Sequence, residues 1–455
     1  MKKLLLTFLA FLFFSISSSA QMLWDKIYGP PQSHAFLSRM ILLSNGDYLL
    51  VGRQASPIYT TYAVRTDANG DTIWTRKYTP LGLAFYLVND AVEDSDGNLI
   101  LVGGGHTGNP NNYDGFILKL DAKGDTIWMK KTVTPQYDSY SEIIIGANNT
   151  CLVSAMVGGS NFLQKLHKDG TVIWSKSYAF SPGNIGGVNG LIKVANGYLI
   201  FIGSHYSIGR VRAVRIDENG FELFSYINKA WQIFDVAADQ KNNFLVCGAG
   251  RLFKFNSQGD TLWSISPRVG NKMISIFSAK PTADGNYIAL FDRNNGNDQD
   301  IGLMKVAPNG TVIKDTVLYR FRFTEYSSDI VVDANGDYVF AGWAQVTNGQ
   351  NRFFLAKHRK WNQVIDIEEK KDEKELVSGT NLYPNPATTH ATISNEDSLS
   401  GTFKLYDLQG KKIWQETVSN STEKVIPLQS FSRGVYILKF YSEKGSNFTR
   451  KVVKQ

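Results

Sequence analysis

The sequence predicts an all-β chain, a seven-bladed β-propeller closed by its own N-terminal strand and followed by a small C-terminal β-sandwich. Three observations predict it. Two short phrases alternate along residues 22–361, each pair of phrases brackets four strand-like segments, and the pattern changes after a mixed-charge stretch at 362–379. Two interleaved phrases at one period are the mark of a repeat architecture.

The outer phrase reads DANGDTIW up to Trp74, DAKGDTIW up to Trp128, HKDGTVIW up to Trp174 and NSQGDTLW up to Trp263. DENGFELF ends at Phe224, and a degraded copy, APNGTVIK, covers 307–314. The inner phrase reads NGDYLLVG from Asn45, DGNLILVG from Asp96, NGYLIFIG from Asn196, NNFLVCG from Asn242, DGNYIALF from Asp284 and NGDYVFAG from Asn335, with NNTCLVSA (148–155) as a worn copy.

Within one repeat of about 40 to 55 residues the order is strand, tight turn, strand, longer loop, strand, tight turn, strand. In the second repeat these are LVNDAVED (87–94), the turn SDGN, LILVGG, the loop GHTGNPNNYD (105–114), GFILKLD, the turn AKGD and TIWMKKT. Four antiparallel strands at this period make a propeller blade. Gly124 stands where a hairpin turn needs φ > 0, and Asp121 can accept hydrogen bonds from the turn's own backbone. The tryptophan four residues beyond that glycine is expected to lie flat on a neighbouring blade.

The inner phrase occurs seven times, but the outer phrase only six, because the last repeat stops after RFFLAKHRKW (352–361). The missing strand is expected at the other end of the chain. MLWDKIYG (22–29) matches TIWTRKYT (72–79) and VIWSKSYA (172–179). It predicts ring closure by the N-terminal strand, with Trp24 in the tryptophan position, and removes an open sheet edge.

Residues 1–20 read as a secretory signal peptide: Lys2 and Lys3, the apolar run LLLTFLAFLFF (4–14), and small Ser18 and Ala20 before Gln21. The run is too short for a membrane span, and no later stretch is long and apolar enough to cross as a helix. The mature chain is therefore expected to be soluble after export, or held at a surface by other means. The formal charge of +7 is spread without a basic block, which argues against nucleic acid as a partner. DIEEKKDEKE (366–375) reads as a solvated linker. Cys151 and Cys247 fall in predicted strands of repeats that are not sequence neighbours, and read as small buried hydrophobes rather than a disulfide or a zinc site.

The D-x-x-G-x-x-x-W turns resemble the tryptophan-docking motif of quinoprotein-like propellers, although the Asp-to-Gly gap is one residue shorter here. They also resemble short-spaced bacterial propeller repeats of no single activity, and less closely the Asp-box of sialidase-like propellers. The resemblance implies a fold and transfers no catalytic residue.

After the linker, short alternating strands return in LYPNPATTHATIS (382–394), FKLYDLQGKKIWQ (403–415) and GVYILKFYSEKGSNFTRKVVKQ (434–455). YPNPA, LYDLQGK, GVY and a basic KVVK ending, in this order, closely resemble the type A C-terminal sorting domain of type IX secretion cargo in Bacteroidota. The resemblance covers residues 380–455. It implies passage across the outer membrane by the type IX secretion machinery, as the partner of this segment, and a secreted or cell-surface product. Tyr383, Pro384, Asn385, Pro386, Gly410, Gly434 and Tyr436 carry the motif. Pro384 and Pro386 are expected to fix an extended entry segment, and the glycines to serve tight turns.

No HExxH, GxSxG or Walker loop occurs, the six histidines are scattered, and no catalytic residue is assigned. The informative asymmetry lies in the loops. The first and third turns of each repeat are short and uniform, whereas the middle loops are long and differ: RQASPIYTT (53–61), GHTGNPNNYD, GSHYSIGR (203–210), FDRNNGNDQD (291–300) and GWAQVTNGQN (342–351). Variable loops on a rigid scaffold are where binding resides. His106, Tyr113, His205, Tyr206, Arg210, Arg293 and Trp343 are the candidate ligand residues, with chemistry suited to a glycan or a peptide. No cofactor is expected beyond calcium, for which Asp292, Asp298 and Asp300 are the candidate oxygen ligands. Two function classes remain: a non-enzymatic binding scaffold, favoured, and a hydrolase or lyase acting on polysaccharide or peptide. An enzyme should gather two or three acids, or an acid and a histidine, at the channel mouth, with separated titration.

Overall fold

The computed structural model describes residues 22–30, 32–55, 59–79, 85–106, 113–158, 160–178, 186–204, 211–228, 233–248, 250–270, 272–294, 299–318, 325–346, 349–361, 381–407, 412–442 and 448–455. The chain is all-β and propeller-like. Among the described residues the only helical piece is a single 3-10 turn, Ala147–Asn149. The contacts divide the chain into two compact units between Lys360 and Trp361.

Among the described residues, the first unit contains seven antiparallel sheets, here I to VII. Sheet I runs in chain order from its inner strand: His34–Leu42, Tyr48–Ala55, Thr60–Thr66 and Thr72–Tyr78. Sheets II to V repeat this order over 85–132, 139–176, 186–228 and 233–265. Sheet VI (268–318) carries an additional two-residue strand, Arg268–Val269, against its inner strand. In sheet VII the strands Glu325–Val332, Tyr338–Gln345 and Asn351–His358 are followed by Met22–Tyr28, which pairs antiparallel with Asn351–His358 in the outer position. Each inner strand adjoins that of the next sheet, and the inner strand of sheet VII adjoins that of sheet I.

The apolar core is a set of wedges between successive sheets. Leu49, Val51, Ala63 and Trp74 of sheet I meet Val88, Leu99, Leu101 and Phe116 of sheet II. Tyr48, Leu50 and Val64 on the other face of sheet I meet Val339, Phe353 and Leu355 of sheet VII. Both faces of the sheets are covered, so the second strands read as apolar runs rather than as alternation. Each such side chain contributes about 1.5–3 kcal/mol by leaving water. Cys151 and Cys247 are free thiols buried in these wedges, and burial pushes Cys151 up to about 11.

The repeated phrase proves to be a docking device. In sheet II the N–H groups of Lys123 and Asp125 donate to Asp121 Oδ1 at 2.8 and 2.9 Å, and Gly124 has φ +82. Trp74 of sheet I covers that turn. Its indole N–H donates to the Ala122 carbonyl at 3.1 Å, and a Cβ on Gly124 would come within 3.2 Å of its ring. The glycine therefore answers two demands, a left-handed backbone and room for an indole. Trp24 sits in the same way on Gly70, Trp128 on Gly170, Trp174 on Gly220 and Trp263 on Gly310. In the worn copies, Asn148, Asn149 and Asn242 adopt the positive φ that glycine takes elsewhere, as asparagine tolerates best among residues with a side chain.

A second recurrent device ties the third strand to the first turn. Arg65 pairs with Asp47, Lys119 with Asp94, Lys305 with Asp284 and Lys357 with Asp333, at 2.5–2.8 Å. Lys119 and Asp94 are both buried.

The second unit is built on a long hairpin, His390–Tyr406 and Lys412–Pro427, flanked by Asn381–Tyr383, Gly434–Ser442 and Phe448–Lys454. The hairpin register breaks between Ser394, Leu399 and Gly401. Such irregularities bend strands, and the first part of His390–Tyr406 pairs with Asn381–Tyr383, its last part with Gly434–Ser442. Ala391, Ile393, Phe403, Leu405, Ile426 and Leu438 fill its core.

Candidate functional site

The middle loops are shorter than the sequence predicts. His106 and Tyr113 are not loop residues; they end the strands Leu99–His106 and Tyr113–Leu120 and face each other across the ladder. Arg293 lies in Tyr287–Asn294 and Trp343 in Tyr338–Gln345. Polar residues at a ladder's end are compatible with strand pairing, so a polarity change marks the exposed end of a strand rather than its termination. His205, Tyr206, Arg210, Asp298 and Gly410 lie outside the described residues.

Three of the described candidates lie in two clusters at the end of the sheets that bears the middle loops, Trp343 in one and His106 with Tyr113 in the other. Trp343 of sheet VII stacks on Tyr326 at 4.2 Å between ring centroids, and Phe36 of sheet I meets it edge-on at 5.0 Å. The Arg53 guanidinium lies 4.8 Å from the Phe36 ring and 5.9 Å from that of Tyr59. Its charge is felt at Tyr113 of sheet II, which packs against His106 at 5.2 Å and stacks on Tyr137 at 4.7 Å. Two aromatic clusters result: Tyr326, Trp343, Phe36, Arg53 and Tyr59 join sheets VII and I, and His106, Tyr113 and Tyr137 form the second on sheet II. Burial pushes the Tyr113 and Tyr137 phenols upward, so both remain hydrogen-bond donors at neutral pH.

Arg293 stands apart, paired with Asp300 at 2.8 Å. Asp292 is buried, accepts the Ser327 N–H at 3.1 Å and the Ser327 hydroxyl, and is pushed up to about 7 by burial. Asp292 and Asp300 thus each have a protein partner. Among the described residues, no group of three or more His, Cys, Asp or Glu side chains is placed to hold a metal ion.

A second constellation was missed by sequence reasoning. Every inner strand carries a register irregularity at the same point, between Leu37 and Arg39, Val88 and Asp90, Tyr140 and Glu142, Val188 and Gly190, Ile233 and Asp235, Ile276 and Ser278, and Ser327 and Asp329. A bulge re-aims the next side chain, and these converge. Arg39 pairs with Asp90 at 2.8 Å and Asp329 at 3.3 Å. Asp235 accepts from Lys280 and Ser278 Oγ, both at 2.5 Å.

The same carboxylates staple neighbouring sheets. Asp329 accepts the Met40 N–H at 2.9 Å, and Asp90 accepts the Ile143 N–H at 2.8 Å. Burial raises Asp90 and Asp329 despite Arg39. Burial acts the same way on Asp235, but Lys280 and Arg39 outweigh it and hold that carboxyl down. Glu142, outside these hydrogen bonds, is pushed up to about 8 by burial and then by the Asp90 charge. Arg39 and Glu142 keep some exposed surface, yet both sit deep enough among the inner strands for burial to dominate their titration. Aligning the seven inner strands by their second-strand phrases would have revealed the column Arg39, Asp90, Glu142, Gly190, Asp235, Ser278, Asp329.

In the second unit the two ends of the C-terminal motif meet. Asn385 Oδ1 accepts the Val453 N–H, and the Ala387 N–H donates to the Val453 carbonyl, both at 2.8 Å. Tyr436 donates its hydroxyl to the Ser432 carbonyl at 2.7 Å, and Tyr383 donates to Glu423 at 3.0 Å. The Tyr383–Pro384 and Asn385–Pro386 bonds are cis.

Residues 381–455 match the secretion system C-terminal sorting domain. A domain of this kind belongs to the type IX route of Bacteroidota, and the protein is exported to the cell surface or secreted. Among the described residues, no helix is long and apolar enough to cross a membrane. No curated protein matches the chain. Among solved structures, the chain is similar to the Dos1 propeller, with 10% identity, a TM-score of 0.46, and coverage of 71% of this chain and 77% of that one. It is also similar to a protein of unknown function from Dyadobacter fermentans, with 11% identity, a TM-score of 0.49, and coverage of 75% and 99%. The extracellular domain of a putative hybrid two-component system from B. thetaiotaomicron aligns with 11% identity, a TM-score of 0.47, and coverage of 92% and 55%.

Proposed function

We infer that residues 21–361 form a closed seven-bladed propeller that serves, after export, as a binding scaffold for a glycan or peptide, with its site at the loop end of sheets VII, I and II. The cyclic adjacency of the seven inner strands and the pairing of Met22–Tyr28 with Asn351–His358 support closure. Residues 1–20 act as the signal peptide in this reading, and residues 380–455 engage the type IX machinery. The observation that carries the ligand site is the cluster of Tyr326, Trp343, Phe36, Arg53 and Tyr59, with the His106, Tyr113 and Tyr137 cluster on the neighbouring sheet. Rings that retain solvent-facing surface, beside phenol and guanidinium donors, suit sugar faces or aromatic and acidic peptide side chains. The test is a glycan-array and peptide-array screen of the mature chain against Trp343→Ala. Hits that disappear in the variant support the site; hits unchanged in the variant place binding elsewhere.

The second reading, a hydrolase or lyase, draws on the four gathered carboxyls with separated titration. In that reading Glu142 is the proton donor. Against it, Asp90, Asp329 and Asp235 are each held by hydrogen bonds to a neighbouring sheet. Release of reducing ends or new amines from an array hit, abolished by Glu142→Gln, would favour the enzyme.

A further inference from the structure

We propose that the outer edge of sheet IV docks a second copy of this chain, by antiparallel pairing of the strand Glu222–Asn228 with its counterpart. Sheet IV ends at this strand, which pairs with Val211–Ile216 on its inner side. Among the described residues each outer strand has such an edge, and a free edge is a template for another strand. The edges differ in how they are guarded. Arg76 and Lys77 interrupt the outer strand of sheet I, Lys130 and Lys131 that of sheet II, and Lys176 that of sheet III. Lys314 and Asp315 interrupt that of sheet VI, and Asp25 and Lys26 that of sheet VII. The uncharged outer strand of sheet V, Thr261–Ile265, has only 5 residues. Glu222–Asn228 has 7 residues, ELFSYIN, and no Lys or Arg. Its one charge, Glu222, is paired with Arg212 of the same sheet at 2.6 Å.

The edge is also apolar at the surface. Leu223 is 57% and Phe224 41% exposed, whereas Lys176 caps the Phe221 ring at 3.4 Å. Phe224 takes the tryptophan position of the repeat. A phenyl ring lacks the N–H with which Trp74, Trp174 and Trp263 hold the next turn, and Phe224 keeps more surface than they do.

Charge and the strand's own symmetry select the second copy as occupant. Paired with itself about Ser225, the strand sets Leu223 against Ile227, Phe224 against Tyr226 and Glu222 against Asn228. Apolar and aromatic positions meet, and no like charges are opposed. The same operation on Thr72–Tyr78 would gather Arg76 and Lys77 of both copies in one short ladder, and on Thr126–Thr132 Lys130 and Lys131 of both, in a chain of formal charge +7. A two-fold axis at Ser225 closes the pair, so association stops at the dimer. One strand a side makes a small interface, which belongs with weak, reversible associations. The dimer does not depend on the ligand site.

The experiment is sedimentation of the mature full-length chain from about 1 to 100 µM, where a reversible dimer with Kd on the order of 10 µM is expected. Leu223→Lys should weaken association roughly tenfold or more, because the change enters the ladder twice. Ile73→Lys, at the corresponding position of sheet I, should leave it unchanged, and a melting curve accompanies each variant. Ser225→Cys reads the geometry itself. Treated with diamide, it should give a disulfide-linked dimer, since residues directly opposite in a ladder stand within disulfide reach. Thr75→Cys, at the same place in sheet I, should not, and Cys151 and Cys247 are buried. A chain that stays monomeric to 100 µM would overturn the inference. So would a dimer that Leu223→Lys leaves intact and Ser225→Cys does not cross-link. If Leu223→Lys fails to fold, the cross-link decides alone.

Discussion

At the end of the sheets that carries the tight turns, Trp24, Trp74, Trp128, Trp174 and Trp263 each cover a glycine of the following sheet. At the opposite end, Trp343, Tyr326 and Phe36 cover one another. The same residue types serve two purposes. An indole on a backbone turn fixes the angle between sheets and commits one face to that turn; Trp74 is buried there, and the other four are half-buried, as Trp343 is. Rings stacked on rings at strand ends keep surface for a ligand. The difference teaches where to look in a repeat protein: uniform contacts are construction, and function is sought where the repeat stops repeating.

The harshest way to break this comparison is to delete residues 22–28. Sheet VII then loses its outer strand, the edge of Asn351–His358 is bared, and the contacts of Trp24 and Tyr28 with Gly70 disappear. The melting temperature should fall by on the order of 10 °C or more. An unchanged thermal transition would remove the N-terminal strand from the closure.

Tryptophan truncation at the two ends sharpens the contrast. Trp74→Ala, at a buried ring, should cost about 3 kcal/mol in urea unfolding, and Trp343→Ala about 1 kcal/mol. Equal costs would show that both rings are construction. The glycines allow a finer cut. Gly97 and Gly124 have similar φ, +78 and +82, but only Gly124 has a neighbour's indole where a Cβ would stand. Gly97→Ala should cost about 1 kcal/mol from backbone strain alone, and Gly124→Ala about 1 kcal/mol more. Equal losses would mean that the indole yields freely.

The last prediction concerns Glu142 and pH. Its carboxyl titrates near 8 in the folded state and in the ordinary range when unfolded. The folded state therefore holds the extra proton, and stability falls as pH rises from about 4.5 until it levels off above about 8. Glu142→Gln should melt a few degrees higher than wild type at pH 9, with the gap closing towards pH 4.5. A gap of constant size would show that Glu142 does not titrate in this way.

Much of the architecture was legible because its grammar is local. Asp121, Gly124 and Trp128 stand within one short stretch, and turn chemistry and period-two alternation placed the strands around them. Trp343 and His106 were picked out by residue type, yet were read as loop residues, because a polar strand end looks like a loop in one dimension. The cluster joining sheets VII and I was hidden. Phe36 and Trp343 meet only through folding of the entire first unit, and neither position is distinctive alone. The central charges were hidden for the opposite reason. Arg39, Asp90, Glu142, Asp235 and Asp329 occupy one structural position, but their identities differ, so the repeat concealed the column. A bulge has no residue signature, and only the ladder registers expose it.

Hydrogen exchange of the mature chain with and without a bound array hit tests the division between the two ends most directly. Protection should be confined to the loop-end amides of sheets VII, I and II, around residues 34–37, 53–55, 104–106, 113–116, 325–327 and 342–345. The turn glycines Gly70, Gly124 and Gly220 should exchange as in the free protein. Ligand-induced protection centred on those turns, or spread along the outer strands, would contradict the assignment of binding to the loop end.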